Sequence, residues 1–216
     1  EYKIIHGHIG SSASIYLKIA KKNGLFTIAH SHSGGFDIGI KGTMYRVFSY
    51  PTRFIADYFF ACSENAGISR YGKRVVNNKT IFSVLKNAID VNQYAFSEEI
   101  RDKKRKELNL ENKFVIGHVG RFDKAKNQEY LVEIFKLIAK KNENTMLLLI
   151  GDGELRPHII EKVKNCGLED KVIFTGVRSD VNELLQAMDV FVFPSVYEGL
   201  PVTVIEAQAA GLPCLI

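Results

Sequence analysis

The second half of the chain alternates short apolar runs with amphipathic stretches, and this alternation restricts the fold more than any other feature. Residues 146–150 form a continuous apolar run, as in a strand covered on both faces, and residues 114–119 are expected to form the strand before it. Between them, apolar residues recur at helical spacing over residues 128–141. Residues 172–174 and 190–193 continue the alternation. Strands separated by helices in this way predict an α/β fold with a parallel sheet.

The first half is less regular, although the same kinds of element are expected there. They comprise a helix at residues 12–22 and strands at 3–5, 27–29, 59–62 and 82–85. Between the halves, the charge-dense run 101–106 is typical of a short solvated helix in a connector. We therefore predict two domains, residues 1–92 and 113–216, joined by a connector at 93–112. A predicted strand near each end of the chain indicates that both domains are incomplete.

Cysteine usage and hydropathy exclude several classes of protein. Cys62, Cys166 and Cys214 are widely spaced and form no Cys-x-x-Cys pair, so structural zinc is not expected. No apolar run approaches the roughly 20 residues of a membrane helix, and the first residues lack the layout of a signal peptide. The sequence therefore predicts a cytoplasmic protein in a reducing compartment.

Much of the basic charge lies between residues 41 and 86, where eight basic residues accompany only two acidic ones. Aromatic residues are interspersed with these cations. Such a stretch could bind anionic lipid or an anionic substrate. Alternatively, it is a solvated helix surface whose aromatic residues lie in the core. Nucleic acid is not expected as a partner, because no recognised nucleic-acid motif accompanies the charge.

Glycine turns and cations follow the predicted strands of the second half, at the sheet edge where open α/β folds bind ligands. Gly120-Arg121 and Lys126 could hold a phosphate, although surface salt bridges explain them equally well. Gly151-Asp152-Gly153 lacks the third glycine of a dinucleotide loop, so a turn that passes close to a ligand is favoured over NAD binding. Gly176-Val177-Arg178 could flank a flat base, or it is an ordinary loop.

His30-Ser31-His32 follows a predicted strand and precedes Ser33-Gly34-Gly35. Alternation along an extended chain points both histidines to one side. A metal pair would need a third ligand, and the sequence offers none nearby. A neutral histidine that binds a substrate hydroxyl or phosphate is more economical, with a purely structural histidine as the alternative.

The chain closes on Glu198-Gly199-Leu200-Pro201-Val202, followed by Glu206. Gly199 allows a ligand to approach the backbone, and Pro201 suits the first position of a helix whose free amides could bind phosphate. On one continuous helix the two acids would lie about 12 Å apart along the axis. Each acid alone could be a surface residue, but together with the preceding loops they indicate one cleft.

These motifs, in this order, resemble the retaining glycosyltransferases of family 4. The overall pattern is similar to bacterial members that act in capsular or exopolysaccharide biosynthesis. The matching segments are Gly120-Arg121 with Lys126, Gly151-Asp152-Gly153, Pro194-Ser195-x-x-Glu198-Gly199, Glu206-Ala207, Asn87-Ala88-Ile89-Asp90 and His30-Ser31-His32. Ala88 stands where the family usually has glycine. The resemblance implies the GT-B type of fold, with two Rossmann-like domains facing across a cleft, the acceptor on the first and the nucleotide sugar on the second.

The same resemblance implies roles for individual residues. Arg121 and Lys126 would hold the donor diphosphate, and Glu206 the ribose hydroxyls. Glu198 would bind the transferred sugar, and His32, preferred over His30, would contact the sugar and phosphate. Further donor-binding positions are Gly153, Val177, Gly199, Leu200, Pro201 and Val202. No metal is expected, and the nucleoside-diphosphate sugar is a co-substrate.

The resemblance thus implies a retaining hexosyltransferase that uses a nucleoside-diphosphate sugar, with UDP favoured, and a glycan or lipid-linked glycan acceptor. The alternatives are a UDP-sugar 2-epimerase of the same fold and a non-catalytic domain that binds a nucleotide sugar. Docking of the basic first domain on the anionic inner face of the cell membrane is a further hypothesis.

Overall fold

The structure, a computed structural model, describes residues 2–8, 10, 12–32 and 40–216. The chain divides into two compact units. Unit 1 comprises Glu1–Asn87 with Tyr197–Pro201, and unit 2 comprises Ala88–Val196 with Val202–Ile216. Residues 93–112 belong to unit 2, and the predicted domain bounds stay a prediction. The acceptor and donor roles of the two domains stay predictions.

As far as it is described, unit 1 is built on a four-stranded parallel sheet in the order β1-β2-β3-β4. Its elements are β1 (Ile4–Gly7), α1 (Ala13–Lys22), β2 (Phe26–Ser31), α2 (Ile40–Ser49), α3 (Thr52–Ile55), β3 (Tyr58–Ala61), α4 (Glu64–Tyr71), α5 (Lys73–Val76) and β4 (Phe82–Val84). Leu17, Phe59 and Phe82 are buried in its core. In the β1-β2 register, Gly7 lies opposite Ala29, so the histidine-bearing ends of these strands lie side by side.

Unit 2 is described throughout, and its five-stranded parallel sheet has the order β7-β6-β5-β8-β9. Its elements are α6 (Glu98–Glu107), β5 (Phe114–Val119), α7 (Gln128–Lys141), β6 (Thr145–Ile150), α8 (Arg156–Asn165), β7 (Val172–Gly176), α9 (Val181–Gln186), β8 (Val190–Val192), α10 (Val202–Ala209) and β9 (Cys214–Leu215). Separate apolar clusters cover the sheet, one including Leu148 and the other Leu147 and Leu149. Because β6 is covered on both faces, it is the continuous apolar run of the sequence.

The predicted α/β fold with parallel sheets is confirmed, and β5 and α7 have the predicted bounds. The sequence does not predict α2 and α3, because their apolar residues do not form one buried stripe. Val47 and Phe54, for example, are 64% and 70% exposed. The alternative that the aromatic residues of this stretch lie in the core is wrong for Tyr45, Phe48, Tyr50 and Phe54, which are all exposed.

The charged run 101–106 lies on a helix, α6, as predicted, and Asp102, Lys103 and Lys106 are exposed. The prediction that the run is solvated is wrong for Lys104 and Arg105, because α6 packs against α9. The side chains of Lys104 and Arg105 are buried. Lys104 Nζ lies 2.5 Å from Asp180 Oδ2 and 3.1 Å from Glu183 Oε2. The charge of Lys104 is therefore paired inside unit 2 rather than solvated.

Among the described residues, no helix combines the length and the hydropathy that crossing a membrane requires.

Candidate functional site

The loop after β5 lies at the carboxyl edge of the unit 2 sheet and carries two predicted phosphate ligands, Arg121 and Lys126. Asp123 organises this loop. Its Oδ2 accepts a hydrogen bond from Arg121 Nε at 2.7 Å, and its Oδ1 accepts from the amides of Ala125 and Lys126 at 3.0 Å each. The Arg121 side chain is 76% exposed, so Asp123 orients the guanidinium without burying it.

Lys126 is held against the end of the neighbouring strand. Its ammonium lies 4.7 Å from the centroid of the Phe193 ring, within the range of a cation–π contact. The Val196 amide, on the loop after β8, donates to Ala125 O at 2.9 Å. The β5 and β8 loops therefore form one connected surface at the sheet edge.

Buried polar side chains support this surface from below. Gln128 Nε2 donates to Arg121 O at 2.9 Å. Burial lowers the pKa of His118 to about 4, so its ring is neutral at neutral pH. A neutral His118 can donate from Nδ1 to Val192 O at 2.9 Å, which ties β5 to the end of β8.

The Gly151-Asp152-Gly153 turn packs its backbone directly on the β5 loop. A Cβ added to Gly151 would lie 2.2 Å from Gly120 O, and one added to Gly153 would lie 2.5 Å from Phe122 O. The Phe122 amide also donates to Asp152 O at 2.9 Å. Close packing of the two loops therefore explains why glycine occupies these two positions without invoking a ligand. The predicted explanation, close approach of a ligand to this turn, stays a prediction.

Glu206 lies on α10, and its Oε1 accepts a hydrogen bond from the Tyr94 hydroxyl at 2.9 Å. Burial and this carboxylate raise the pKa of Tyr94 to about 12. Tyr94 could not be predicted from the sequence, because nothing in the local pattern marks it as a partner of a residue so distant in the chain. Val177, after β7, is 80% exposed.

Residues 197–201 belong to unit 1. Leu200 packs against the unit 1 core, and its carbonyl accepts from Asn87 Nδ2 at 2.8 Å. Glu198 is exposed and precedes α10, which begins at Val202, one residue after Pro201. The spacing worked out for one continuous helix therefore does not apply to Glu198 and Glu206.

Four of the described histidines cluster at the carboxyl ends of β1 and β2: His6, His8, His30 and His32. The ring centroids are 4.3 Å apart for His6 and His8, and 4.1 Å apart for His30 and His32. Across the strands, His8 and His32 are stacked at 5.1 Å, and His6 and His30 at 5.2 Å. The predicted histidine pair is thus half of a larger group.

Hydrogen bonds define the tautomers of two of these rings. Because Asn87 Nδ2 donates to Leu200 O, Asn87 Oδ1 must accept from His32 Nδ1, which lies 3.3 Å away. His32 Nε2 then carries a lone pair and accepts from His8 Nδ1 at 2.8 Å. In this arrangement the His8 proton is on Nδ1, and its Nε2 has a lone pair.

His30 differs from His32 in its surroundings. It is only 6% exposed, and within the described residues neither of its ring nitrogens has a hydrogen-bond partner. Burial, reinforced by the neighbouring histidines, lowers the pKa of His30 to about 4. His32 is exposed, and Ser33-Gly34-Gly35, which follows it, lies outside the described residues. The preference for His32 over His30 as a ligand contact stays a prediction.

His6 and His8 were not predicted as site residues, although the sequence carries a signal for them. His6-x-His8 and His30-x-His32 have the same spacing, and each occurs where a strand ends. Consecutive parallel strands joined by a helix commonly lie next to each other, so both pairs could be expected on one face of the sheet.

Comparison with known proteins identifies relatives of the whole chain. Putative glycosyltransferase EpsF of Bacillus subtilis is 30% identical over 220 residues, which cover all of this chain and 57% of that protein. The UDP-Gal:alpha-D-GlcNAc-diphosphoundecaprenol alpha-1,3-galactosyltransferase of Escherichia coli is 29% identical and is covered to 58%. The chain thus spans a little over half the length of these relatives.

A crystal structure of Anabaena Alr3699/HepE in complex with UDP-glucose superposes with a TM-score of 0.83 at 22% identity, over 98% of this chain and 58% of that one. This likeness shows a shared fold. A sequence profile of the family described as Glycosyl transferases group 1 matches residues 99–216, more than half of the chain. The chain belongs to the Glycosyl transferases group 1 family.

Proposed function

We propose that this chain is part of a retaining family 4 hexosyltransferase. The enzyme transfers a sugar from a UDP-sugar to a glycan or a lipid-linked glycan. Its product contributes to the biosynthesis of a surface polysaccharide such as a capsule. The observation that carries this proposal is the set of groups on the loops and α10 of unit 2. Two cations, Arg121 and Lys126, and the acidic Glu206 all lie within the segment that matches the family profile.

The cations suit the departing nucleoside diphosphate, which gains negative charge as the glycosidic bond breaks. Arg121 is exposed and oriented by Asp123, and Lys126 is anchored over Phe193. Fixed positive charge of this kind stabilises a developing anion without reorganising during the reaction. Gly153 and Val177, on the neighbouring loops, would flank the donor nucleotide.

Glu206 suits the ribose hydroxyls, because Tyr94 holds one of its carboxylate oxygens in place. Uridine is the favoured base because HepE of Anabaena forms complexes with UDP and UDP-glucose, and the name of the Escherichia coli relative specifies UDP-Gal. Both observations concern those proteins, and they support the same donor class for this chain.

In the proposed reaction the acceptor hydroxyl attacks the anomeric carbon from the face that the diphosphate leaves, and the departing phosphate takes the acceptor proton. Positive charge at Arg121 and Lys126 and the amides at the start of α10 favour this departure. Glu198 and Gly199, Leu200, Pro201 and Val202 would bind the transferred sugar or its phosphate. His32 would contact the donor sugar, and no covalent nucleophile or metal is part of the scheme.

A lipid-linked acceptor agrees with an exposed apolar surface on unit 1. Tyr50 and Phe54 are 50% and 70% exposed, and the Arg53 guanidinium lies 4.0 Å from the centroid of the Tyr50 ring. Aromatic and basic side chains together suit the interface of an anionic membrane. Names of two relatives, from Escherichia coli and Campylobacter jejuni, include a diphosphoundecaprenol or diphospho-undecaprenol acceptor.

Donor binding provides the main test. Calorimetric titration of the full-length protein with UDP and a panel of UDP-sugars should give a measurable affinity, weakened about 10- to 100-fold in Arg121→Ala and Lys126→Ala, since a hydrogen bond to a charged group contributes about 1.5–3 kcal/mol. Lys124→Ala, an exposed change in the same loop, is the matched control. Equal affinity in all four proteins would refute the phosphate assignment.

A second experiment separates the transferase from a 2-epimerase. Incubation with the donor alone would yield an epimerised sugar if the protein were a 2-epimerase.

Membrane docking is tested separately by sedimentation with anionic vesicles. Phe54→Ser should weaken binding at low salt, whereas Phe96→Ser, which changes a 59% exposed phenylalanine in unit 2, should not. Absence of binding by the unaltered protein at low salt would contradict docking.

A further inference from the structure

We propose that His6, His8 and His30 bind a divalent transition-metal ion of the zinc class. His32 would not touch the metal, but it would accept a hydrogen bond from the ligand His8. The proposal goes beyond the glycosyl transfer proposed above, and it rests on the geometry of unit 1 alone. The sequence offers no third ligand near the His30-x-His32 pair, but His6 and His8, at the carboxyl end of β1, lie beside it.

The three rings already converge. One ring nitrogen from each of His6, His8 and His30 can be chosen so that all three atoms lie within 4.8 Å of one another. Zinc-to-nitrogen distances of about 2.0–2.1 Å place tetrahedral ligand nitrogens about 3.3 Å apart. Each pair must therefore close by at most about 1.5 Å. His6 is exposed and can rotate toward the other two rings, while the buried His30 provides a fixed ligand.

The hydrogen bonding leaves ring nitrogens of His8 and His30 available for coordination. Within the described part of the chain, both nitrogens of His30 are buried without a hydrogen-bond partner, an arrangement that native proteins rarely leave unsatisfied. A metal ion would satisfy one of them. His8 donates from Nδ1 to His32, which leaves the lone pair on Nε2 for a metal.

His32 then has the position of an outer-shell partner. A histidine that binds a metal commonly donates its second N–H to a neighbouring acceptor, which fixes its tautomer and ring orientation. His32 Nε2 accepts from His8 at 2.8 Å, and Asn87 in turn holds His32. The relay from His8 to Asn87 therefore preorganises one of the three ligands.

Three imidazole ligands determine which class of metal ion the site would bind. Imidazole suits zinc, copper and nickel, whereas magnesium and calcium prefer oxygen ligands. Three protein ligands leave the fourth position open for water or a small anion. A cavity of about 210 Å³ adjoins the cluster, and its lining includes His8, His30, Thr52 and Arg70. This cavity gives the fourth ligand a place to bind.

The test uses the full-length protein after treatment with a chelator. Calorimetric titration with Zn²⁺ should give one site per chain. His6→Gln and His8→Gln should each weaken it at least about 100-fold, since loss of a direct ligand should exceed the 10- to 100-fold effect of an outer-shell change. Both residues are exposed, so both variants should fold, as circular dichroism would check. His158→Gln changes an exposed histidine of unit 2 and should bind like the unaltered protein.

Co²⁺ provides an independent readout of the ligands. Visible d–d absorption of tetrahedral strength should appear in the unaltered protein and disappear in His8→Gln. A near-ultraviolet thiolate-to-cobalt band would show that a cysteine binds the metal, and would overturn the assignment. Absence of Zn²⁺ binding, or equal affinity in His6→Gln, His8→Gln and the unaltered protein, would also overturn it. These measurements do not involve the donor, so their failure leaves the proposed transferase activity untouched.

Discussion

Arg105 is predicted to be essential for the stability of unit 2, although it belongs to a run of charges that looks solvated in sequence. Its Nη1 donates to Ala187 O at 2.9 Å and to Asp189 Oδ2 at 3.3 Å. Its Nη2 donates to Leu110 O at 2.9 Å and to Lys113 O. One buried guanidinium thus satisfies acceptors from the segment before β5 and from the segment between α9 and β8.

The structure sets the expected cost of Arg105→Met. Methionine keeps much of the side-chain volume but leaves three carbonyls and a carboxylate without this donor. Asp189 retains Arg101 at 2.6 Å and the Val115 amide at 2.7 Å, so its charge is not orphaned. Breaking a buried ion pair costs about 3–5 kcal/mol, and a buried unsatisfied acceptor costs about 1–3 kcal/mol. Because Asp189 stays paired and the carbonyls can relax, we expect a loss of about 3–5 kcal/mol.

Thermal and urea denaturation followed by circular dichroism would measure this loss. At about 2–4 °C per kcal/mol for a chain of this size, the midpoint should fall by about 6–20 °C. Lys106→Met, an exposed change on the same helix, should shift it by less than about 2 °C, since surface changes stay within about 0.5 kcal/mol. An Arg105→Met midpoint equal to that of Lys106→Met would refute the reasoning. Folded Arg105→Met should bind UDP normally, because its contacts lie away from the β5 loop.

Three further outcomes are expected. Glu206→Gln should weaken binding of UDP-sugars in calorimetry about 10- to 100-fold, since a hydrogen bond to a charged group contributes about 1.5–3 kcal/mol; normal affinity would contradict the ribose role. Gly151→Ala should lower the free energy of unfolding in urea, because the new Cβ would lie 2.2 Å from Gly120 O; an unchanged curve would show that the loop yields easily. Burial alone would raise the pKa of Asp57, but hydrogen bonds from Lys21 and Thr27 outweigh it and hold this pKa below its usual 3.8. Asp57 therefore stabilises the fold above that pH and loses this effect as the pH falls, so the stability difference from Asp57→Asn should shrink in acid; a constant difference would contradict the pairing.

The sequence predicts α7 and β6 of unit 2 well because the burial of each leaves a regular hydrophobic pattern. In α7, the buried Leu131 and Phe135 recur at helical spacing, and β6 is apolar because both its faces are covered. The same reasoning fails for α2 and α3, whose apolar residues are largely exposed and give no periodic signal. Hydrophobic periodicity in a sequence reflects burial. It therefore does not reveal a helix whose apolar side chains lie on the surface.

The candidate sites show a second limit of prediction from sequence. It concerns contacts between residues that are distant in the chain rather than hydrophobic periodicity. The position of Arg121 and Lys126 after β5 could be predicted because the carboxyl end of a strand is defined locally in sequence, while their role as phosphate ligands stays a prediction. Tyr94 could not, since its partner Glu206 lies 112 positions away and meets it only after folding. His6 and His8 are intermediate in how far they could be predicted. Their His-x-His spacing is visible locally, but their proximity to His30 and His32 depends on the pairing of β1 with β2. Prediction of a site from sequence therefore improves when motifs are compared across neighbouring strands, and a residue pattern repeated on consecutive strands is more informative than either copy alone.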